Sequence, residues 1–438
     1  MAFNMPFVRR RLAVAPQEPY VRGKLIIKFS NEVQAEQILS RRGATRIAPP
    51  NAEGYVGVSI PQTVDPAAEA AFLQTQPGIA DAQPLKLRYI QVNDPNDTDF
   101  GTNAQICSGP QTTHVQWDMF VTWMPEAWAV TTGSSSVKIA IIDTGVDLTQ
   151  GDISSKVIGA DSAVFDTGLG TQDGTNVQDY DGHGTNVSGI AAADTNNSTL
   201  FAGTGWNTSL IEVRVFPTPS AANPTPGATN LDIAAGINWA VSKGAKVVSM
   251  SLGGSGACDS TEQTAISNAI ASGIVVVAAS GNAGAAAVSA PANCNGVIAV
   301  GASSLDDTTN PLQPREKVAS YSNYASNNTW GVVAPGGDPS AAQQNCNPVP
   351  PCDYLQWITN LYSSTAFGGG GAGVFIAGTS QATPHVAGLA ALMFAKDGAL
   401  TPAQVANIIE SNTDQIVGAG FHQGFGRINA IKALNATP

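Results

Sequence analysis

Residues 138–147 read KIAIIDTGVD, a short apolar run that ends at an aspartate and a glycine-containing turn. A run that is apolar at every position, and not only at every second one, is typical of a strand buried on both faces of a parallel sheet. Similar runs recur along the chain and alternate with helical patterns. We therefore predict an α/β fold in which helices cover both faces of a parallel sheet.

The alternation of apolar strands with helical patterns continues through the chain beyond residue 113. Strands are predicted at residues 137–142, 210–216, 245–250, 274–278 and 297–300. Helices are predicted at residues 183–193, 230–242, 261–272, 380–394 and 402–412. In sheets of this kind, ligands bind at the carboxyl ends of the strands.

A separate small unit is predicted in front of this sheet. Residues 19–92 alternate strand, helix, strand, helix and strand patterns, which indicates an α+β unit. Residues 93–113 are polar and contain proline and glycine, so they are interpreted as a linker. The predicted organisation is an N-terminal extension (1–18), the small unit (19–92), the linker (93–113) and the main domain (114–438).

Composition and charge limit the class of protein. Of the 438 residues, 43% are hydrophobic and only 12% are charged, which is typical of a folded protein. No apolar run approaches the roughly 20 residues that cross a bilayer, so no membrane association is expected. Residues 1–92 carry a net charge of +4 and the remainder carries −16. This asymmetry favours association of the two parts, and it makes nucleic-acid binding by the acidic body unlikely.

The N-terminus and the five cysteines bear on the cellular compartment. Residues 1–20 contain three arginines but no apolar segment after them, so they do not match a secretory signal peptide. The cysteines show no metal-binding spacing; they are Cys107, Cys258, Cys294, Cys346 and Cys352. Buried free thiols are one interpretation, and two disulfides with one remaining thiol in an exported protein is the favoured one. The sequence leaves the pairing open.

Three motifs place reactive side chains at the predicted strand and helix ends. Asp143 follows a strand in KIAIIDTGVD, His183 begins a helix in DGHGTNVSGIAA, and Ser380 begins another in AGTSQATPHVAGLAALM. A serine hydroxyl needs a base to take its proton, a histidine can be that base, and an aspartate can fix the imidazole. Asn282, in VVVAASGNAG, and the Ser380 backbone N–H could stabilise an oxyanion.

Each of these residues also has an ordinary structural interpretation. An aspartate after a strand is more often a turn or cap residue, and a serine at a helix start is usually an N-cap. The combination is more specific, because all three motifs carry glycines and occur in the order Asp, His, Ser. His385, which follows Ser380 in the same helix, is interpreted as a packing residue.

The motifs DTGVD, GHGTNVSG and GTSQATPHVAG resemble the three signature blocks of the subtilase family, whose order of catalytic residues is Asp, His, Ser. The resemblance covers residues 116–430 and includes SLGG at 251–254 and GFGRINA at 424–430. It implies a subtilisin-type parallel sheet and a serine endopeptidase with Asp143, His183 and Ser380 as its triad. Two alternatives stay open: a Ser-Glu-Asp peptidase, which needs glutamate at position 183, and a catalytically silent binding protein.

The resemblance also implies which residues bind an extended polypeptide substrate. One wall of the cleft is expected at the SLGG segment and the other at the ASG turn, without an acidic residue, which favours apolar or aromatic side chains. The expected residues are Ser251, Leu252, Gly253, Gly254, Ala278, Ala279, Ser280, Gly281 and Ser289.

A structural calcium site is implied by the stretch AADTNNSTLFAG at residues 192–203, because oxygen-only ligands suit calcium. A solvated polar loop is the alternative. The expected ligands are Asp152, Asn197, Thr195, Thr199, Phe201 and Gln116.

Residues 19–92 resemble the subtilase propeptide, a ferredoxin-like inhibitor and folding assistant. The resemblance implies a secreted, monomeric, self-processing zymogen that is cleaved between about residues 89 and 116. Two features depart from the family pattern. Gln381 stands where the family usually has methionine, and residues 367–373 (FGGGGAG) enlarge the region before Ser380, as does the loop between Cys346 and Cys352.

Overall fold

The computed structural model describes residues 20–61, 63–86, 94–100, 115–223, 225–306, 315–339, 357–368 and 373–438. The chain divides into two compact units. The smaller, here called the N-terminal unit, is Arg10–Gln91, and the larger, here called the large unit, contains Val92–Pro438. Cys107, Cys346 and Cys352 lie outside the described residues.

The N-terminal unit is a four-stranded sheet with two helices. Its elements are β1 (Tyr20–Phe29), α1 (Glu32–Arg41), β2 (Thr45–Arg46), β3 (Tyr55–Ser59), α2 (Pro66–Leu73) and β4 (Ile79–Lys86). The strand order is β2-β3-β1-β4, with all three pairings antiparallel. This βαββαβ arrangement is ferredoxin-like, as predicted, and it adds the short strand β2, which the sequence analysis did not predict.

Local sequence explains why these elements form. Strand β3 alternates buried and half-buried residues, so Val56 and Val58 share one face. Helix α1 begins after Asn31, whose side chain accepts the Gln34 N–H. The strand and helix faces meet in a separate core that includes Leu25, Ile27, Leu39, Val56, Val58 and Leu73.

The large unit is built on a ten-stranded, mostly parallel sheet. Its strands are β5 (Lys138–Asp143), β6 (Ala163–Val164), β7 (Ser209–Arg214), β8 (Val247–Met250), β9 (Val275–Ala279), β10 (Ile298–Asp306), β11 (Arg315–Val318), β12 (Val332–Pro335), β15 (Thr413–Asp414) and β16 (Arg427–Ile428). A separate antiparallel hairpin is formed by β13 (Ile358–Leu361) and β14 (Gly373–Ile376). The order in the main sheet is β15-β16-β12-β10-β9-β8-β5-β7-β6, and β11 pairs with β10. Only β11 and β15 run antiparallel to their neighbours in this sheet.

Helices cover both faces of this sheet. They are α3 (Trp117–Val121), α4 (Met124–Trp128), α5 (His183–Ala192), α6 (Asn230–Ser242), α7 (Ser260–Ala271), α8 (Ser364–Phe367), α9 (Thr379–Lys396), α10 (Pro402–Ser411) and α11 (Ala430–Ala436). Ile139 and Ile141 of β5 pack in one core cluster with residues of α5 and α9. Ala140 and Ile142 pack in a second cluster with residues of α6 and α7. Alternation along one apolar strand therefore fills both cores.

The predicted α/β class with a ferredoxin-like unit in front is confirmed. The linker differs from its prediction at its beginning, because residues 94–100 pack into the large unit. Phe100 is buried in the core beside Phe120 and Trp128. A polar composition predicted a linker, but one buried aromatic residue is enough to anchor the segment.

Two further features concern the compartment. Cys258 and Cys294 form a disulfide between the start of α7 and the loop before β10. Across the described parts of the chain, no helix combines the length and the apolar character that a membrane span requires.

Candidate active site

The carboxyl ends of adjacent strands bring the predicted site residues to one edge of the sheet. Asp143 is the last residue of β5, Ser251 follows β8, and Gly281 and Asn282 follow β9. These three strands are neighbours in the order β9-β8-β5. The two helices that begin at this edge, α5 and α9, supply His183 and Ser380.

Asp143 and His183 form a close pair. His183 Nδ1 lies 2.7 Å from Asp143 Oδ1, and the Thr144 N–H donates to the same oxygen at 2.8 Å. The Asp143 side chain is 1% exposed, whereas the His183 side chain is 28% exposed. The imidazole is therefore held on its Nδ1 side and faces the cleft with the rest of the ring.

The charges around His183 favour its protonated form. Burial disfavours the imidazolium, but the Asp143 carboxylate outweighs this through its charge and its hydrogen bond, and Asp181 and Asp179 add to it. Together these raise the pKa of His183 to about 9. Asp179 is itself held by the backbone N–H groups of Asp181, Gly182 and Thr185, so the acidic loop is fixed beside the imidazole.

Ser380 lies in the first turn of α9, after the N-cap Gly378. Its backbone N–H is one of those that a helix start leaves without an intrahelical acceptor. The hydroxyl donates to the Ser251 carbonyl oxygen at 3.0 Å, and the Ser251 hydroxyl donates to the Ser380 carbonyl oxygen at 2.7 Å. Ser380 is thus joined to the end of β8.

Asn282 is fixed by its carbonyl end. Its Oδ1 accepts the Thr379 N–H at 2.9 Å and the Thr379 hydroxyl at 2.8 Å. The amide Nδ2 is not the atom bonded to Thr379, and it lies near the Ser380 N–H, since a Cβ built on Gly378 would stand 3.5 Å from Ser380 N and 3.6 Å from Asn282 Nδ2. This orientation fits two donors that converge on one oxygen.

Gln381 joins the two helices that carry His183 and Ser380. Its buried amide Nε2 donates to Asn186 Oδ1 at 3.2 Å, and Asn186 lies one turn along α5 from His183. The sequence analysis singled out Gln381 but missed Asn186, because nothing in the sequence pairs the two positions.

His183, Ser380 and Asn282 open to one continuous cleft of about 820 Å³. Seven of the nine predicted substrate residues line it, namely Ser251, Leu252, Gly253, Gly254, Ala279, Gly281 and Ser289. Ala278 and Ser280 do not, and both are 0% exposed, because alternate residues at this strand end point into the core. The Gly254 N–H and C=O are both paired with Ala290, and the Ser251 carbonyl oxygen accepts the Ser380 hydroxyl, so the exposed backbone edge is Leu252 and Gly253.

Several cleft residues were missed by the sequence analysis. Asn323 bridges the wall by donating to Ser289 Oγ at 3.2 Å and accepting the Ala283 N–H. The opposite rim is a proline-rich segment after β7, which a loop at the carboxyl end of a strand would have indicated. Its lining residues are Phe216, Pro217, Thr218, Pro219, Thr225 and Pro226.

The predicted calcium loop winds around a buried carboxylate. Asp152 accepts Asn197 Nδ2 at 2.7 Å and the Phe201 N–H at 3.0 Å. Burial, together with the charges of Asp97 and Asp194, raises the pKa of Asp152 to about 7, although these two hydrogen bonds act against the rise. Thr195 and Thr199 lie in the same loop, which has left-handed residues at Asn196, Ser198 and Leu200.

Gln116, one of the predicted calcium ligands, is hydrogen-bonded at both ends of its amide. Its Nε2 donates to the Ala202 carbonyl oxygen and its Oε1 accepts the Ala202 N–H, both at 2.8 Å. The N-terminal segment also brings a carboxylate to this loop, since Asp97 accepts the N–H groups of Asn196 and Asn197. Among the residues that the structure describes, no group of three or more His, Cys, Asp or Glu side chains is arranged to hold a metal ion.

Family profiles match both units. The profile of the subtilase family matches residues 134–427, and the profile of the fervidolysin N-terminal prodomain matches residues 8–84. The thermophilic serine proteinase of Bacillus sp. (strain AK1) is 35% identical over 424 residues, which are 95% of this chain and 88% of that protein. Thermitase of Thermoactinomyces vulgaris is 36% identical over 310 residues, 71% of this chain and 92% of that protein.

Solved structures show the same architecture. A protease from Pseudoalteromonas arctica superposes with a TM-score of 0.60 at 31% identity, covering 80% of this chain and 100% of that one. Fervidolysin from Fervidobacterium pennivorans, a keratinolytic enzyme, has a TM-score of 0.59 and covers 96% of this chain and 62% of that one. At 23% identity, the second likeness shows the fold alone.

Proposed function

The chain belongs to the subtilase family of serine proteases, and we propose that it is a self-processing endopeptidase that acts through an acyl-enzyme on Ser380. The observation that carries this proposal is the 2.7 Å pair of Asp143 with a partly exposed His183, beside Ser380 at the start of α9. A glutamate at position 183, which a Ser-Glu-Asp peptidase needs, is absent.

In the proposed reaction, His183, Asn282 and the Ser380 N–H each act in acylation and again in deacylation. Rotation of the Ser380 side chain exchanges its bond to Ser251 for one to His183 Nε2. Nε2 takes the hydroxyl proton as Ser380 Oγ attacks the scissile carbonyl carbon, and Asn282 Nδ2 and the Ser380 N–H donate to the oxyanion. His183 then gives the proton to the leaving nitrogen as the C–N bond breaks. In the second half, water attacks the ester carbonyl carbon while His183 takes its proton. His183 then gives that proton to Ser380 Oγ as the ester bond breaks, which regenerates Ser380.

Substrate selection is proposed to be broad, with apolar or aromatic side chains preferred before the scissile bond. The backbone of Leu252 and Gly253 is positioned to pair with an extended peptide, and rotation of the Ser380 side chain releases the Ser251 carbonyl oxygen for the same purpose. The pocket beside it is lined by Ala279, Ala285, Ala287 and Val288. Asp181 is the acidic residue in the lining; its backbone lies in the loop next to His183.

Peptide anilides that differ only in the residue before the scissile bond test this preference. Phenylalanine and leucine substrates should be cleaved at least about tenfold faster than glutamate or lysine substrates, as expected when an apolar pocket receives a charged group. Ser380→Ala should leave no hydrolysis above background. A preference for lysine would contradict the proposed selectivity, and it would leave the proposed reaction on Ser380 unaffected.

A structural calcium ion is proposed at the loop of residues 192–203. The oxygen-rich donors fit, because the charges of Asp97 and Asp194 help to raise the pKa of Asp152 and a cation would relieve that repulsion. The residues that would hold it are Asp97, Asp152, Asn197 and backbone carbonyls of the loop, with Asp97 in place of Gln116. Calcium would supply charge compensation and rigidity there. Removal by a chelator should lower the Tm, and Asp97→Asn should reduce that calcium dependence.

The N-terminal unit is proposed to be an inhibitory propeptide that the enzyme removes itself. A folded unit of its own, matched by a prodomain profile, and its basic charge against an acidic body support this. Because residues 94–100 pack into the large unit, cleavage is proposed before residue 94. Intact mass over time should show the wild type, but not Ser380→Ala, losing a fragment of about 90 residues.

Secretion and a monomeric state complete the proposal. The disulfide between Cys258 and Cys294 supports an oxidising compartment. Fractionation of the producing cells and a molar mass measured by light scattering test these two points directly.

A further inference from the structure

A half-exposed aromatic residue, Phe367, lies directly against the glycine that precedes His183. A Cβ built on Gly182 would stand 2.5 Å from Phe367 Cε2 and 2.7 Å from its Cζ. The ring therefore occupies the space that a side chain at position 182 would take. Gly182 also has φ = +98°, so both the backbone and the ring require glycine there.

The short helix α8 that carries Phe367 is firmly anchored to the turn after β5. Asp147 Oδ2 accepts three hydrogen bonds at 3.1 Å each, from the hydroxyls of Ser363 and Ser364 and from the Thr365 N–H. Asp147 lies four residues beyond Asp143. The helix is thereby held in register with the end of the strand that supplies Asp143.

Further contacts fix the ring itself. Tyr362 packs on Phe367 with ring centroids 5.1 Å apart, and its hydroxyl donates to the Gly368 carbonyl oxygen at 2.7 Å. Gln178 Nε2 donates to Thr365 Oγ1 at 3.1 Å, which joins α8 to the loop before His183. Despite these contacts, Phe367 remains 51% exposed. A large apolar surface that is fixed but uncovered is suited to contact a ligand.

The position of Phe367 relative to the cleft indicates which part of a substrate it meets. The cleft lined by residues 251–254 receives the residues before the scissile bond in the proposed binding mode. Asp181 and His183 line that cleft, whereas Gly182 and Phe367 do not. Phe367 thus adjoins His183 without lining that cleft. In the proposed binding mode this leaves its ring available to the part of the substrate after the scissile bond, whose nitrogen His183 protonates.

We propose that Phe367 is a specificity-determining residue that binds an apolar or aromatic side chain within the first three residues after the scissile bond. This inference rests on the proposed function, because it uses the proposed direction of substrate binding. It assigns a role to the segment before Ser380 that the family resemblance leaves unexplained, since FGGGGAG enlarges that segment and Phe367 is its first residue.

Internally quenched peptides with one common sequence before the scissile bond test the proposal. Leucine or phenylalanine is compared with serine at each of the three following positions, and an anilide with the same acyl half serves as the reference, because it lacks these positions. Wild type should prefer the apolar residue in kcat/KM by about fivefold at one position at least, as half-burial of a ring implies. Phe367→Ala should abolish this preference and leave anilide hydrolysis within about twofold.

Two more variants complete the design. Phe421→Ala removes a ring of similar exposure that does not line the cleft, and it should keep the wild-type preference. Phe367→Asp should favour lysine or arginine at the position where wild type favours an apolar residue.

The outcomes separate the two proposals. A flat preference in wild type, or an equal loss on peptides and anilide in Phe367→Ala, overturns the role of Phe367; the second result would mean that the ring only supports His183. A wild type that hydrolyses no anilide overturns the proposed function instead, and the role of Phe367 with it.

Discussion

Two Asp–His pairs occur among the described residues of the large unit, and they differ in what surrounds them. Asp143 and His183 are 2.7 Å apart at the cleft, with the histidine 28% exposed. Asp118 and His385 are 2.9 Å apart in the core, where both side chains are 0% exposed. His385 follows Ser380 by five residues, so closeness in sequence to the nucleophile does not distinguish the two histidines.

The hydrogen bonds explain the difference. His385 Nδ1 faces the Gln381 carbonyl oxygen, which only accepts, and Nε2 faces Asp118 Oδ2. Both ring nitrogens of His385 are therefore engaged, and none is left to take a proton from a substrate or a serine. His183 is held by Asp143 through Nδ1 alone. The comparison teaches that an Asp–His pair becomes a base only when its second nitrogen is open to the cleft.

The largest expected effect is on activity, and it distinguishes the exposed Asp143–His183 pair from the buried Asp118–His385 pair. Asp143→Asn should lower kcat/KM for a peptide anilide by about 10⁴-fold, because the amide no longer stabilises the imidazolium or its tautomer. The Tm should change little. Asp118→Asn is the matched control and should keep most of the activity of the folded enzyme; an equal loss in both variants would contradict the assignment.

For stability, the larger effect is expected at the buried pair of Asp118 and His385. His385→Leu leaves Asp118 buried without its partner, which typically costs about 3–5 kcal/mol. Asp118 Oδ1 already has no hydrogen-bond partner among the described residues, so the site offers no compensation. Denaturant unfolding of inactive Ser380→Ala protein, with and without His385→Leu, measures this without self-digestion. The double change Asp118→Leu with His385→Leu should recover part of the loss.

The pH dependence of activity tests how the charges around the Asp143–His183 pair control the protonation of His183. Because the pKa of His183 is raised to about 9, the neutral base is a minor species at pH 7, and kcat/KM should rise with pH towards 9. Asp181→Asn removes one of the charges that raise the pKa, so the rising limb should move to lower pH. A limb that stays in place in Asp181→Asn would contradict this electrostatic account.

Another buried carboxylate, Glu212, has no histidine partner among the described residues. It is paired in register with Ile141 of β5, accepts Ser188 Oγ at 2.9 Å and keeps Oε2 without a partner among the described residues. Burial raises its pKa well above the ordinary value, with Asp143 and Asp179 adding to the rise. Its stabilising contribution is complete below the unfolded pKa of about 4.5 and is lost as pH rises towards the folded pKa.

Glu212→Gln should therefore stabilise the fold at pH 8 by about 1–3 kcal/mol and have much less effect at pH 4. Unfolding in denaturant at the two pH values checks this. A variant that is less stable at both values would mean that the carboxyl hydrogen bond matters more than its ionisation.

The smallest effect concerns Gln381, which contacts His385 and the helix that carries His183. Its carbonyl oxygen faces His385 and its side chain donates to Asn186 on the His183 helix. Activity should resist mild peroxide, because no sulfur follows the nucleophile. Gln381→Met should make the enzyme sensitive and lower kcat by about threefold, through loss of one buried hydrogen bond. Rapid peroxide inactivation of the wild type would contradict the expectation.

Much of this could be predicted from the sequence. The apolar runs before Asp143 and before Asn282 predicted buried parallel strands, and the order of the motifs predicted which residues would meet. Long-range pairs outside these motifs could not be predicted. Asp118 and His385 are 267 positions apart, and Asp97 reaches its loop from about 100 positions away. Neither pair has a local pattern, because only the folded chain brings them together.

The most direct test of the central claim is labelling of the processed chain with a fluorophosphonate probe, read by peptide mass beside Ser380→Ala. The claim is that Asp143 and His183 activate Ser380. The account predicts one adduct, on the peptide that contains Ser380, formed faster as pH rises towards 9, and none in the variant. Folded protein that takes up no probe, or the same adduct in Ser380→Ala, would contradict it.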